Sequence, residues 1–189
     1  MGFLDALLLA VGLAMDAAAV CAARGLVARQ VSTEARKRVA LYFGGSQALM
    51  PLAGWMIARA IGSFAAGWLP LVGGAMLVYL GVRMGRESFQ AAREDVARFA
   101  GKGVDPFEPS LLMPLAFATS IDALAAGLVL DRFTLPVLVT VALIGLVTAA
   151  LSLAAIEFAK AIGERLGRAS HLLGAGALVI IGARMLIFR

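Results

Sequence analysis

Two aspartates stand in the middle of long apolar stretches, where a carboxylate is costly to place. Asp16 and Asp122 each have no basic residue within one helical turn along the sequence. An ionised aspartate at the centre of a membrane helix costs roughly 2.5–3.5 kcal/mol on insertion scales. Each carboxylate therefore needs a bound cation, a proton, water or a partner from another helix. The alternative is a protonated carboxyl in a structural hydrogen bond.

Residues beside the aspartates could add to a binding site. Thr119 lies one helical turn before Asp122 and can contribute a hydroxyl oxygen. Met15 and Ser120 adjoin the aspartates in sequence. On a regular helix their side chains point away from the aspartate face, so they become accessory candidates only if the helix is distorted.

A glutamine and a proline in a second apolar stretch give another candidate. Pro51 removes one helical hydrogen bond and so frees the carbonyl of Gln47, whose amide also lies at mid-membrane depth. One residue could then offer a backbone and a side-chain oxygen; alternatively, a neighbouring hydroxyl satisfies the kink. Thr148 is a weaker candidate, because hydroxyls often bond back to their own helix.

These residue types predict a site for a hard divalent cation. Oxygen ligands suit magnesium, calcium and manganese, whereas zinc or copper would call for histidine or cysteine. The chain has one histidine, His171, and one cysteine, Cys21, and neither belongs to a cluster. Two carboxylates match the charge of one divalent ion, but oxygen ligands alone do not separate manganese from magnesium. The predicted ligands are Asp16, Asp122, Gln47 and Thr119, with Met15, Ser120 and Thr148 as accessory candidates.

The composition indicates that lipid surrounds much of the chain. Of its 189 residues, 61% are hydrophobic and only 15% are charged, whereas soluble domains average about 25% charged. The net charge of +5 does not indicate a nucleic-acid partner, because the basic residues fall between apolar runs. The sequence has no nucleophile–base set, histidine pair or phosphate-binding loop typical of an enzyme or ATPase. We therefore predict neither enzymatic activity nor a resident cofactor.

Six stretches are long enough to span a bilayer, which takes about 20 apolar residues each. They cover residues 3–23, 39–60, 64–84, 111–130, 133–156 and 170–188. The predicted fold class is an all-α polytopic membrane protein. Of the 17 lysines and arginines, 13 lie in or beside the first, third and fifth connections. The positive-inside rule therefore places the loops 24–38, 85–109 and 157–169 in the cytoplasm and both termini outside.

The two halves of the chain resemble each other weakly. The first span of each half carries an Asp-Ala pair, and the third ends in Gly-x-Arg-Met, at 81–84 and at 182–185. The halves, 1–88 and 110–189, flank a loop at 89–109 within one membrane domain. Three spans per half make the second half inverted, a plan typical of secondary transporters with a site where the halves meet. Chance similarity between apolar helices is the alternative.

Four segments together resemble the MntP family of bacterial manganese exporters over nearly the whole chain. They are GLAMDA at 12–17, FGGSQALMPLAGW at 43–55, GVRMGRESF at 81–89 and ATSIDALA at 118–125. The resemblance implies manganese(II) efflux across the inner membrane, resistance to manganese excess, and roles for Asp16 and Asp122. It also matches Glu87, a possible accessory residue, to an acidic position near the cytoplasmic mouth, where it could attract metal or simply cap the third span. His171 departs from the family, where an acidic residue is expected.

We hypothesise that metal leaves in exchange for protons carried on the two aspartates. The partners would be manganese(II), protons and the lipid bilayer, and a homo-oligomer is compatible with the sequence. One rival hypothesis is a secondary exporter of another cation or of an amino acid. Another is a membrane scaffold without transport, which would tolerate asparagine at both aspartates.

Overall fold

The computed structural model describes residues 2–28, 30–61 and 105–162, together with single positions between 75 and 82. All regular structure in these segments is helical. The α-helices are α1 (Phe3–Val27), α2 (Thr33–Val39), α3 (Gly45–Ile61), α4 (Pro109–Thr119), α5 (Ile121–Gly127) and α6 (Val137–Ile162). A π-helical turn, Ala40–Gly44, joins α2 to α3, and a 3-10 turn, Leu130–Arg132, follows α5.

Three helical stretches in the described part are long and apolar enough to cross a membrane. They are Phe3–Leu26, Pro109–Gly127 and Val137–Ala159. This agrees with an all-α membrane protein. The predicted third and sixth spans, Glu87 and His171 lie outside the described residues, so the six-helix inverted repeat stays a prediction.

Several of the predicted boundaries need correction. The first span does not end at residue 23: α1 continues to Val27, and Arg24 is a buried helical residue with 2% of its surface exposed. The predicted fifth span, 133–156, corresponds to α6, which begins at Val137 and ends at Ile162. The loop predicted at 157–169 therefore starts later. The fourth span is two helices, because the chain leaves helical geometry at Ser120. The predicted loop at 24–38 shortens in the same way, since α2 begins at Thr33.

Buried apolar side chains form two clusters, one on each side of the aspartates. The Leu9 cluster consists of Ala6, Leu9, Ala10, Leu13, Ala123, Ala126, Val129, Leu130, Phe133, Val141 and Ile144. The Phe43 cluster consists of Ala17, Ala18, Cys21, Ala22, Ala28, Ala35, Val39, Phe43, Phe107, Leu112, Ala116, Ala155, Ile156 and Ala159. Along α1, Asp16 falls between the last member of the first cluster and the first member of the second. Asp122 likewise falls between Ala116 and Ala123, so both carboxylates mark the boundary between the clusters.

Glycines allow α3 to approach its neighbours closely. A Cβ added to Gly54 would overlap the Leu124 carbonyl oxygen, and one added to Gly127 would overlap the Pro51 carbonyl oxygen. Close backbone contact of this kind is how small residues stabilise helix pairs in lipid. Pairing of Gly54 with Gly127 therefore fixes the short helix α5 against the middle of α3.

Candidate cation-binding site

Asp16 lies on an unbroken helix at the boundary between the two clusters. It occupies the middle of α1 and is half-buried. Its Oδ1 accepts a hydrogen bond from the backbone N–H of Ala17 at 3.1 Å. This bond orients the carboxyl group but leaves the charge of its ionised form unbalanced, so the group still needs a bound cation or a proton.

Asp122 lies just after a break between two short helices. Ser120 has φ −104° and ψ 7°, which ends α4 and starts α5. Asp122 is 8% exposed, and its Oδ1 accepts from the N–H of Ala123 at 2.8 Å. Asp16 lies close enough to Asp122 for the two carboxylates to repel each other when both are ionised. The structure thus brings together the two carboxylates, and each has the same bond to the next residue's N–H.

Gln47 links the two aspartate-bearing segments. It is fully buried, and its Nε2 donates to the carbonyl oxygens of Leu13 at 3.0 Å and Thr119 at 3.2 Å. Leu13 and Thr119 stand three residues before Asp16 and Asp122 respectively. Because both partners are carbonyls, the amide nitrogen must face them, and this fixes the amide orientation. The side-chain oxygen is left as the free acceptor.

The Gln47 Oε1 atom is buried and has no hydrogen-bond donor in the described part of the protein. A buried acceptor without a partner is costly unless another group supplies positive charge. A cation held by the two carboxylates would supply it. The sequence predicted Gln47 as an oxygen ligand, and the structure places its amide between the two helices.

Side-chain hydroxyls donate hydrogen bonds to backbone carbonyls beside the helix break. Thr119 Oγ1 donates to Leu115 O at 3.0 Å and is also 3.2 Å from Ala116 O. Ser120 Oγ donates to Ala116 O, and Ser46 Oγ from α3 reaches the same carbonyl at 3.1 Å. Thr119 and Ser120 therefore have their protons committed to backbone, and only their oxygen lone pairs remain for a ligand.

Ser46 was not predicted as a site residue. Its hydroxyl bridges the helix break and the π-helical turn, since it also lies 3.2 Å from the Phe43 carbonyl. The only sequence signal was its position beside Gln47. A hydroxyl in an apolar span usually bonds to its own helix, so the contact with α4 could not be anticipated.

The remaining accessory candidates do not join the site through any described hydrogen bond. Thr148 is fully buried on α6, and its Oγ1 donates to Ile144 O of its own helix at 2.8 Å. Met15 is buried in α1, where the helix is regular. Glu87 lies outside the described residues.

The arrangement suits a cation held by few charges. Among the described residues, no group of three or more histidine, cysteine, aspartate or glutamate side chains could hold a metal ion. The candidate ligands are two carboxylates, one amide oxygen and the Thr119 hydroxyl oxygen, and the carboxylates lie at the boundary between two apolar clusters. Such an all-oxygen set favours hard divalent ions over zinc or copper.

Comparison with known proteins agrees with the motifs. A profile of the family described as "Putative manganese efflux pump" matches residues 30–186. A Sorangium cellulosum protein named "Putative manganese efflux pump MntP" is 40% identical, covering 99% of this chain and 97% of the relative. Proteins of the same name from Nitratidesulfovibrio vulgaris and Methanosphaera stadtmanae are 38% and 30% identical, covering 98% and 97% of this chain and 91% and 98% of the relatives. No solved structure matches the chain. The resemblance predicted from sequence is thereby confirmed, and the chain belongs to the MntP family.

Proposed function

We propose that this protein exports manganese(II) across the bacterial inner membrane and so protects the cell from manganese excess. One observation carries the proposal. The Gln47 amide links the segments that bear Asp16 and Asp122, and its own oxygen is buried with no donor among the described residues. A divalent ion between the carboxylates would balance their charge and occupy that acceptor.

Two arguments support manganese as the substrate. The first is the chemistry of the ligands, because carboxylate and amide oxygens suit hard divalent ions. The second is the family, because the relatives bear the name of a manganese efflux pump. The oxygen ligands do not by themselves discriminate against magnesium, so competition between the two metals belongs in the test.

Export against the membrane potential requires an energy source. Moving one charge across 100 mV is worth about 2.3 kcal/mol, so exporting a dication against an inside-negative potential costs about 4.6 kcal/mol. Inward movement of protons would supply this energy. In this mechanism Asp16 and Asp122 bind the metal when ionised and return neutral after taking up protons.

The two apolar clusters suggest how the binding site could open alternately to the two sides of the membrane. In the proposed topology both termini lie outside, so the Leu9 cluster closes the outer route and the Phe43 cluster closes the cytoplasmic one. Transport would require each cluster to open in turn while the other stays packed. Secondary transporters built from inverted repeats commonly operate in this way around a fixed central site.

The test is transport by the purified protein in proteoliposomes. We expect manganese(II) uptake into vesicles with an acidic interior, loss of uptake when a protonophore collapses the gradient, and little competition from magnesium. The Asp16→Asn and Asp122→Asn double variant serves as the inactive control. Transport indifferent to the pH gradient would refute proton exchange, and absence of manganese transport by the wild type would refute the function itself.

A further inference from the structure

Arg24 is a charged residue inside the Phe43 cluster that the proposed binding site does not use. It lies on α1 eight residues after Asp16, about 12 Å further along the helix axis. Only 2% of its surface is exposed. A guanidinium stays charged in proteins, and charged side chains within membrane segments usually serve a function. The burial of Arg24 therefore calls for an explanation beyond membrane topology.

The guanidinium of Arg24 joins the two aspartate-bearing segments at their ends. Its Nη1 donates a hydrogen bond to the carbonyl oxygen of Pro106, just before α4 begins at Pro109. The segment around Pro106 is itself ordered, because Asp105 Oδ1 accepts from the Phe107 N–H at 2.9 Å. Phe107 is 1% exposed and belongs to the Phe43 cluster. Arg24 thus fastens the end of α1 to the start of α4.

The part of α1 between Asp16 and Arg24 is closely packed. Ala17 and Cys21 are fully buried there, and Ser152 of α6 is buried beside the Cys21 thiol. Arg24 is close enough to Cys21 to interact with it electrostatically. A cation leaving the aspartates in this direction would meet tight packing and then the hydrogen bond between Arg24 and Pro106.

We propose that Arg24 is a positioning residue that closes one entrance to the cation site by holding the Pro106 carbonyl. The bond must break for a cation to pass on this side, which the sequence places towards the cytoplasm. The inference rests on the proposed function only for the identity of the ion that passes.

A cysteine in α1 allows the closure of this entrance to be measured. Cys21 is its single cysteine, and it lies one helical turn before Arg24. The experiment measures labelling of Cys21 by N-ethylmaleimide in the full-length reconstituted protein, followed by the mass of the intact chain. The variants are Arg24→Met, which removes the donor and charge, and Arg24→Lys, which keeps the charge. Arg38→Met is the matched control, because Arg38 pairs with Glu34 at the surface.

We expect slow labelling in the wild type and in Arg38→Met. Arg24→Met should label about tenfold faster or more, because a charged donor on a buried acceptor holds the packed form closed. The labelling rate of Arg24→Lys should lie between the rates of the wild type and Arg24→Met. Equal labelling of the wild type and Arg24→Met would overturn the proposal.

A second measurement covers the case in which Arg24→Met fails to fold. In wild-type proteoliposomes, adding manganese(II) should change the Cys21 labelling rate, and magnesium at the same concentration should change it less. A rate that stays constant while manganese is transported would also overturn the closure role. If no manganese is transported but labelling still depends on Arg24, the proposed function fails and the closure stands.

Discussion

The two aspartates are carried by helices of different construction. Asp16 lies in the middle of α1, which continues unbroken from Phe3 to Val27. Asp122 lies two residues after Ser120, where the corresponding part of the chain divides into α4 and α5. Both carboxylates nevertheless accept the N–H of the following residue. The two carboxylates are thus held by one continuous helix and by a pair of helices, α4 and α5, that is interrupted at Ser120. We call this pair the jointed segment.

The two segments also differ in the hydrogen bonds that α3 makes to them. A broken helix leaves carbonyls that are not used within the helix, and neighbouring side chains can bond to them. Ser46 and Gln47 of α3 do so at Ala116 and Thr119. On the unbroken side, the described hydrogen bond from α3 goes to the Leu13 carbonyl through Gln47. Among the described residues, α3 is therefore bonded to the jointed segment at two carbonyls and to α1 at one.

The largest expected effect tests whether the two carboxylates are equivalent in spite of this difference. We expect Asp16→Asn and Asp122→Asn each to lower manganese(II) transport by about a hundredfold or more, because each variant removes one of the two carboxylates that balance the bound dication, and removing one partner of a buried ion pair costs about 3–5 kcal/mol. The measurement is intracellular manganese in a manganese-sensitive strain. Asp131→Asn is the control, since Asp131 is exposed and bonded to Trp55. Full activity of either site variant would mean that only one helix carries the ion.

Removing the link between the two segments should have the next largest effect. Gln47→Leu loses both donors to the carbonyls of Leu13 and Thr119, and each unpaired buried group costs about 1–3 kcal/mol. We expect about a tenfold weaker apparent affinity for manganese(II), from initial rates in proteoliposomes. Gln30→Leu is the matched control, because Gln30 is exposed in the connection between α1 and α2. Unchanged affinity in Gln47→Leu would separate the amide from the site.

Packing of the jointed segment against α3 gives a third test. Gly127→Ala would force a methyl group onto the Pro51 carbonyl. Overpacking of this kind costs about 1–3 kcal/mol, so the apparent Tm in detergent should fall by several degrees. Gly45→Ala is the control, because nothing lies within 4 Å of an added Cβ there. If both variants melt together with the wild type, α5 is not fixed by this crossing.

The sequence singles out the polar candidates for the site, but not the helix break beside them. Asp16, Asp122 and Gln47 could be predicted because polar side chains are rare in apolar spans and each needs a partner. The break at Ser120 could not, because neither glycine nor proline stands within four residues on either side of it, 116–124. Contacts from Ser46 and from the Gly54–Gly127 crossing accompany it, and they come from distant parts of the chain.

The burial of Arg24 likewise could not be predicted from the local sequence. Its type and position predicted a cytoplasmic loop residue, since basic residues cluster at that end of membrane helices. Its actual environment depends on the Pro106 carbonyl, which is 82 residues away in the sequence. A local pattern reports the cost of placing a charge, but the partner that offsets this cost is set by the tertiary fold.

The smallest expected effect separates hydroxyls on the jointed segment from hydroxyls elsewhere. Thr119 lies beside the break, whereas Thr148 on α6 bonds only to its own helix in the described structure. Thr119→Val should lower the transport rate about threefold, because a neutral hydrogen bond or ligand contributes about 0.5–1.5 kcal/mol. Thr148→Val removes the same atoms from a residue without a described contact to the site and should stay close to the wild-type rate. Equal losses in both would show that hydroxyl removal acts through helix stability, and the helix break would then have no special role in binding.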